Sequence, residues 1–141
     1  MIKQTPGAIG YIELAYAVQN NMAYAKVQNK AGNFITPSIA SVTAAANITI
    51  PADSKISLTN TDAADGYPIS GFSWVLIYKE QKYGNRSLEK ATKLLKLLSW
   101  VIHDGQQYSS ALTYAPLSPA AVTTGDAILK SATYDGKPIL Q

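Results

Sequence analysis

An apolar, glycine-containing run near the start of the chain constrains the fold more than any other stretch. Residues 8–12 (Ala-Ile-Gly-Tyr-Ile) follow a Pro6-Gly7 turn signal and have the composition of a short buried strand. Gly10 would let a neighbouring backbone approach closely. A strand of this kind belongs at the centre of a sheet and needs partners on both edges. Few residues precede it, so we expect its neighbours to come from later in the chain, from a second copy, or from a missing part.

A second strand is predicted over residues 67–78, where apolar side chains continue on both faces. One face carries Phe72, Trp74, Leu76 and Tyr78, and the other carries Ser73, Val75 and Ile77. This pattern is typical of a long strand in a sheet that is covered on both sides. Gly71 allows a bend or a bulge at its beginning.

Helical periodicity and turn signals divide the rest of the chain. We predict helices from residue 13 onward and over residues 37–46, 87–104, 106–112 and 120–131. Shorter extended segments are predicted at residues 23–27 and 34–35, an extended or loop segment at 48–58, a polar linker at 59–66, and a loop with an Asp135-Gly136 turn at 134–141. The mixture indicates an α/β fold. Within the longest helix, Leu95 lies on the apolar stripe between Ala91 and Leu98, so we expect it to be buried.

Composition excludes several classes of function. The chain has 141 residues, enough for one ordinary domain, and its 47% hydrophobic content is too high for a disordered chain. Arg86 is the only arginine, which argues against a nucleic-acid partner because bidentate phosphate recognition favours arginine. The absence of cysteine excludes disulfides and thiol chemistry. No apolar run approaches the roughly 20 residues of a membrane span, and we expect no signal peptide in this chain.

The titratable residues give no convincing catalytic or metal site. His103 is the only histidine and has only Asp104 beside it in sequence, so a helix-terminal role is favoured over a metal site or a catalytic triad. Asp62 and Asp65 lack the spacing of a calcium loop, which favours a solvated turn. No nucleophile–base pair is visible, so a small hydrolase is a weak hypothesis.

Two loops invite an anion-binding interpretation. Gly84-Asn85-Arg86-Ser87 precedes the strongest helix and combines free amides with the lone guanidinium, although an ordinary N-cap is the favoured interpretation. Thr123-Thr124-Gly125-Asp126 has neither a preceding strand nor the spacing of a phosphate loop, and we reject an anion site there.

The nine tyrosines are spread along the chain, so packing in the core and at its rim accounts for them without a binding role.

Several runs carry a family resemblance. The run Pro-Gly-Ala-Ile-Gly-Tyr-Ile-Glu-Leu-Ala-Tyr-Ala at residues 6–17, with Gln-Asn-Asn at 19–21 and Ala-Tyr-Ala-Lys-Val at 23–27, resembles the phosphate-binding protein of bacterial phosphate ABC transporters. The resemblance continues at residues 67–70 and 74–79, at Tyr-Ala-Pro-Leu-Ser-Pro in 114–119, and at Asp-Gly-Lys-Pro in 135–138. It covers nearly the whole chain but only the C-terminal part of the family's length.

The resemblance implies a type II periplasmic-binding-protein fold of the α/β class, present as a C-terminal fragment that spans parts of both lobes. Residues 1–66 would belong to lobe two, and residues 67–141 would return to lobe one. Under this interpretation Met1 does not mark the natural mature start. The family member binds inorganic phosphate, delivers it to a membrane permease, is periplasmic or associated with the outer side of the membrane, and catalyses nothing.

No ligand-binding, catalytic or metal-binding residue can be transferred from the family. Its phosphate ligands come from a Thr-Phe loop and a Ser-Gly-Thr turn that precede the matched part, and Ser70-Gly71 is followed by Phe72 instead of threonine. We expect no cofactor. The alternative is a stand-alone structural or interaction module that self-associates, because a truncated chain would leave strand edges uncovered. In that case residues 59–66 would act as a hinge in a homodimer or larger assembly.

Overall fold

The computed structural model describes residues 2–140 and contains four α-helices, short 3₁₀ helices and two small hairpins. The α-helices are α1 (Leu14–Gln19), α2 (Ile39–Ala45), α3 (Leu88–Ile102) and α4 (Pro119–Lys130). The 3₁₀ helices are Ile2–Gln4, Asp104–Tyr108 and Ser110–Leu112. The strands are β1 (Val27–Gln28) with β2 (Phe34–Ile35), and β3 (Thr133–Tyr134) with β4 (Lys137–Pro138), each pair antiparallel.

Serine caps fix the beginnings of three helices close to the predicted positions. Ser38 begins α2 with a capping box shared with Ser41, because each side chain bonds the main-chain N–H of the other residue. Ser87 accepts a hydrogen bond from the N–H of Lys90 at the start of α3. Ser118 caps α4, whose first helical residue is proline. The helices predicted at 37–46, 87–104 and 120–131 are therefore confirmed with small shifts in their ends.

The C-terminal half is organised around a small apolar core. Leu95 of α3 is fully buried against Leu129 of α4 and Ala132. Partly buried side chains complete this core: Ile77, Leu98, Ile102, Ile139 and Leu140. The predicted burial of Leu95 is confirmed, and the helix predicted at 106–112 is present as two 3₁₀ turns.

The tail is a hairpin and not the loop that we predicted. Its two-residue turn at Asp135 and Gly136 has φ angles of 54° and 74°, the conformation that tight antiparallel hairpins prefer. The sequence signal located the turn correctly. The flanking strands were missed because each has only two residues.

Asn29 holds the first half of the chain together. This asparagine is buried, and its side-chain amide donates to the carbonyls of Ala64 at 2.7 Å and Gly66 at 3.1 Å. The N–H of Tyr67 donates to the carbonyl of Ser41 at 3.0 Å. The polar segment 59–66 is thus fastened to the β1–β2 hairpin and to α2. Of the strand predicted at 23–27, only Val27 is paired.

Both predicted central strands are unpaired among residues 2–140, so their predicted burial is wrong for this structure. Ile9 and Tyr11 are 97% and 101% exposed, and Val75 and Leu76 are 68% and 93% exposed. The physical reason is that strand formation requires a partner backbone, and no described segment lies in ladder register with either run. Apolar alternation therefore indicated strands whose partners the described residues do not supply.

Replacing Leu95 with alanine should lower the free energy of unfolding by about 2–5 kcal/mol, because the change leaves a cavity between α3 and α4. Leu97→Ala is the matched control, since Leu97 lies on the same helix and is 55% exposed. Chemical or thermal unfolding of the three proteins measures the difference. Equal loss of stability in both variants would show that α3 is not oriented with Leu95 toward the core.

Candidate functional site

The guanidinium of Arg86, in the loop before α3, contacts other side chains of the protein. Arg86 Nη1 donates to Gln81 Oε1 at 2.6 Å, and the guanidinium carbon lies 4.5 Å from the ring centre of Tyr83. The Arg86 carbonyl accepts a hydrogen bond from the Tyr134 hydroxyl at 2.9 Å. Gln81 is fully buried. Because Arg86 is already committed to these partners, the structure supports the N-cap interpretation of residues 84–87 over an anion site.

His103 has a hydrogen-bond partner that lies far from it in the sequence. At the C-terminal end of α3, His103 Nε2 lies 3.0 and 3.1 Å from the two carboxylate oxygens of Asp126 on α4. Asp104 is not this partner. The two side chains are 44% and 36% exposed, so the pair is a surface link between two helices. Because 23 residues separate His103 from Asp126 along the chain, no local sequence pattern could predict this pair.

A cavity of about 260 Å³ lies next to this link, between α3, α4 and the C-terminal tail. It is lined by Lys96, Ser99, Asp126, Leu129, Lys130 and Leu140. Ser99 makes no hydrogen bond to His103 among the described residues. A serine–histidine–aspartate relay is therefore not assembled here, although all three residue types are present in this region.

A wider groove of about 900 Å³ separates residues 53–59 from residues 70–76. Two of its hydroxyl groups are bonded locally: Ser70 Oγ donates to the Tyr67 carbonyl at 2.8 Å, and Ser57 Oγ accepts from the N–H of Thr59 at 3.1 Å. Lys55 lies 3.8 Å from Asp53 at the exposed rim. The indole N–H of Trp74 donates across the groove to the Ser54 carbonyl at 3.3 Å. The one basic side chain on the groove lining, Lys55, is thus accompanied by a carboxylate, which disfavours an anion there.

The remaining candidates keep structural roles. Asp62 pairs with Lys30 on the surface, and residues 2–140 contain no group of three or more acidic, histidine or cysteine side chains that could hold a metal ion. The segment Thr123-Thr124-Gly125-Asp126 lies inside α4, where Thr123 Oγ1 bonds the carbonyl of Pro119, so it is not a phosphate loop. The Tyr114 hydroxyl donates to the Glu13 carboxylate, and this bond raises the pKa of Tyr114.

Glu80 is the most strongly perturbed carboxylate, and sequence analysis did not single it out. Its oxygens accept hydrogen bonds from the N–H groups of Lys82, Gly136 and Asp135 and from the hydroxyl of Thr133, at 2.8 to 3.1 Å. These bonds, led by the one from Lys82, lower the pKa of Glu80 to about 2. Glu80 therefore fastens the end of the 71–80 segment to the β3–β4 hairpin.

Glu80→Gln should destabilise the fold most at neutral pH. The folded pKa of Glu80 is about 2 and its unfolded value 4.5, so the carboxylate stabilises the fold fully above pH 4.5. That contribution falls as pH decreases from 4.5 toward 2. Thermal unfolding from pH 7 to pH 2 should show the gap between wild type and Glu80→Gln closing in this window.

Glu89→Gln is the control for this experiment, because Glu89 pairs with Lys93 four residues away and is 74% exposed. A surface pair of this kind contributes little, so its variant should follow the wild type at each pH. A constant gap for Glu80→Gln from pH 7 to pH 2 would contradict the role assigned to the carboxylate.

Comparison with known proteins defines the class of protein to which this chain belongs. A family model described as "PBP superfamily domain" matches residues 1–104, and the chain therefore belongs to that superfamily. The mixture of helices and short strands agrees with an α/β member.

The similar proteins are more specific. The chain is 36% identical over 124 residues to the phosphate-binding protein PstS of Xylella fastidiosa, covering 86% of this chain and 33% of the relative. It is 33% identical over 126 residues to PstS of Haemophilus influenzae, covering 87% and 36%. It is 32% identical over 116 residues to PstS of Methanocaldococcus jannaschii, covering 76% and 30%. The chain thus spans about a third of the length of the curated relatives it matches.

Proposed function

We propose that this chain is part of the phosphate-binding component of an ABC transporter for inorganic phosphate. The observation that carries the proposal is the similarity at 32–36% identity, over most of the chain, to proteins named phosphate-binding protein PstS. In this role the protein binds an anion and passes it to a membrane permease without chemical change. A periplasmic or extracellular location follows from the same proposal. None of the helices in the described part has the length and hydropathy that a bilayer crossing needs.

A binding role is favoured over an enzymatic one by the arrangement of the polar groups. His103 is bonded to Asp126 and to no serine or threonine hydroxyl within residues 2–140. The described part therefore does not place a hydroxyl nucleophile on this histidine, as a histidine-based hydrolase would.

We further propose that residues 1–66 contribute to one lobe and residues 67–141 to the other, as in a C-terminal portion of a two-lobed receptor. The bonds from Asn29 to Ala64 and Gly66 keep the segment up to Gly66 with the first half, and Tyr67 and Trp74 bond the carbonyls of Ser41 and Ser54 across the proposed boundary. The contact of Ile77 with the Leu95 core likewise keeps the following segment with the second half.

The 141-residue chain alone should bind inorganic phosphate far more weakly than a family-length relative. The lone guanidinium, on Arg86, is engaged by Gln81, and the Ser70 hydroxyl of the groove donates to its own backbone. Isothermal titration calorimetry with phosphate at low salt measures this, with full-length PstS of Xylella fastidiosa as the positive control. Submicromolar one-to-one binding by the isolated chain would contradict the expectation.

A second candidate function is a self-associating module built on the same fold. The exposure of Trp74, Leu76 and Tyr78, at 51–93%, specifically favours it, because these side chains alternate along one run and exposed apolar surface of this kind marks an interaction site. A homodimer or larger assembly is expected, with no nucleic-acid partner. Light scattering coupled to size exclusion, over a range of concentrations, tests the assembly. A compact monomer throughout would contradict it.

A further inference from the structure

One hydrogen bond joins parts of the chain that lie far apart in the sequence. The Tyr114 hydroxyl donates to a carboxylate oxygen of Glu13, across 101 residues. The other hydrogen bonds that cross from residues 2–66 to the rest of the described chain reach no further than Trp74. Among bonds between described residues, the one from Tyr114 therefore ties the distant part of the second half to the first half.

The apolar core of the second half does not fix the position of the first half. Its buried residues are Leu95, Leu129 and Ala132, and no residue before Ile77 packs against it. Parts of a chain that are not joined by a large apolar interface are expected to move relative to each other. A polar contact between such parts can decide which relative position is populated.

The main chain around Tyr114 is held firmly by the second half. The N–H of Tyr114 donates to the Ser109 carbonyl at 3.0 Å. The Gln106 side chain accepts from the N–H of Leu117 at 2.8 Å and donates to the Val101 carbonyl of α3 at 2.7 Å. The loop is thus bonded on both sides of the tyrosine ring, so the hydroxyl extends from a defined position.

Glu13 is held by the first half in a comparable way. It is the N-cap residue of α1, and its carbonyl accepts from the N–H of the buried Ala17 at 3.1 Å. Its carboxylate makes no capping bond to α1, so the carboxylate is available to Tyr114. Both side chains are exposed. The bond can therefore break and form again without unpacking either half.

We propose that the hydrogen bond between Tyr114 and Glu13 is a latch, which holds residues 2–66 and residues 67–140 in the relative position of this structure. The acceptor is a carboxylate, and such charge-assisted bonds are the stronger ones between side chains. The latch favours this arrangement over those in which the two side chains separate. This inference rests on the division at residue 67 proposed above, and it makes Glu13 and Tyr114 positioning residues.

Nuclear magnetic resonance of ring-labelled tyrosine tests whether the bond forms in solution. The bond to Glu13 raises the pKa of Tyr114 above the ordinary 10.0, because a carboxylate acceptor favours the neutral phenol. Glu13→Gln keeps an acceptor but removes the charge, so the Tyr114 titration should move down toward pH 10.0. Tyr114→Phe assigns the signal. An unchanged Tyr114 titration in Glu13→Gln would show that the bond is absent and would overturn the latch.

The distance between two spin labels tests whether the bond holds the halves in place. Thr43→Cys on α2 and Lys96→Cys on α3 provide the labelling sites, since both positions are exposed and the sequence has no native cysteine. With the latch intact, one narrow distance distribution is expected. Tyr114→Phe removes only the hydroxyl and should broaden this distribution or shift it to longer distances. Its melting temperature should remain that of the parent, because the lost bond is exposed.

Tyr108→Phe is the matched control for the distance measurement. Tyr108 is 57% exposed, and its hydroxyl makes no hydrogen bond among the described residues, so this variant should keep the parent distribution. Glu13→Gln combined with Tyr114→Phe should give the same distribution as Tyr114→Phe alone, because the two residues act through one bond.

The contrary outcomes separate the latch from the proposed function. Equal broadening in Tyr114→Phe and Tyr108→Phe overturns the latch, since the effect would not depend on the bond. A parent distribution in Tyr114→Phe, with a Tyr114 titration that does respond to Glu13→Gln, shows that the bond forms but that the halves move as one body. That result overturns the latch and the division at residue 67. The role in phosphate transport is tested separately, by the calorimetry described above.

Discussion

The packing of Leu95 against Leu129 and Ala132 is the contact on which the C-terminal half depends. It brings α3, α4 and the β3–β4 hairpin together, and Ile77 joins it from the preceding segment. Few large side chains are fully buried in the described residues, so this core is small for a chain of 141 residues. A small core stabilises a fold only modestly, and the loss of one of its leucines is correspondingly costly.

Polar anchors supplement this core where apolar contacts are few. Asn29 satisfies carbonyl groups of residues 63–66, and Glu80 satisfies donors of the hairpin turn. Asn29 donates to main-chain carbonyls, and Glu80 accepts from main-chain N–H groups. Each side chain therefore fixes the path of a segment that has little regular structure. The chain is thus held by two local assemblies, while the runs at 8–12 and 71–78 have no strand partner among the described residues.

The family assignment agrees with the structural roles that charged side chains take in the described residues. A chain that covers about a third of its PstS relatives can retain the superfamily's helices and turns without a complete anion site. Its only guanidinium supports the loop before α3, and its single histidine links two helices.

Local sequence determined the helices, their caps and the Asp135-Gly136 turn, because these depend on residues within a few positions of one another. It also placed Leu95 in the core through its position on a 3.6-residue stripe. Only the tertiary structure decided that His103 bonds Asp126 and that Glu80 bonds the hairpin, since 23 and more than 50 residues separate these groups along the chain. It also decided that residues 8–12 and 71–78 are exposed. Alternating apolar residues specify a strand, but burial depends on a partner backbone, and no periodicity within the strand can show whether that partner is present.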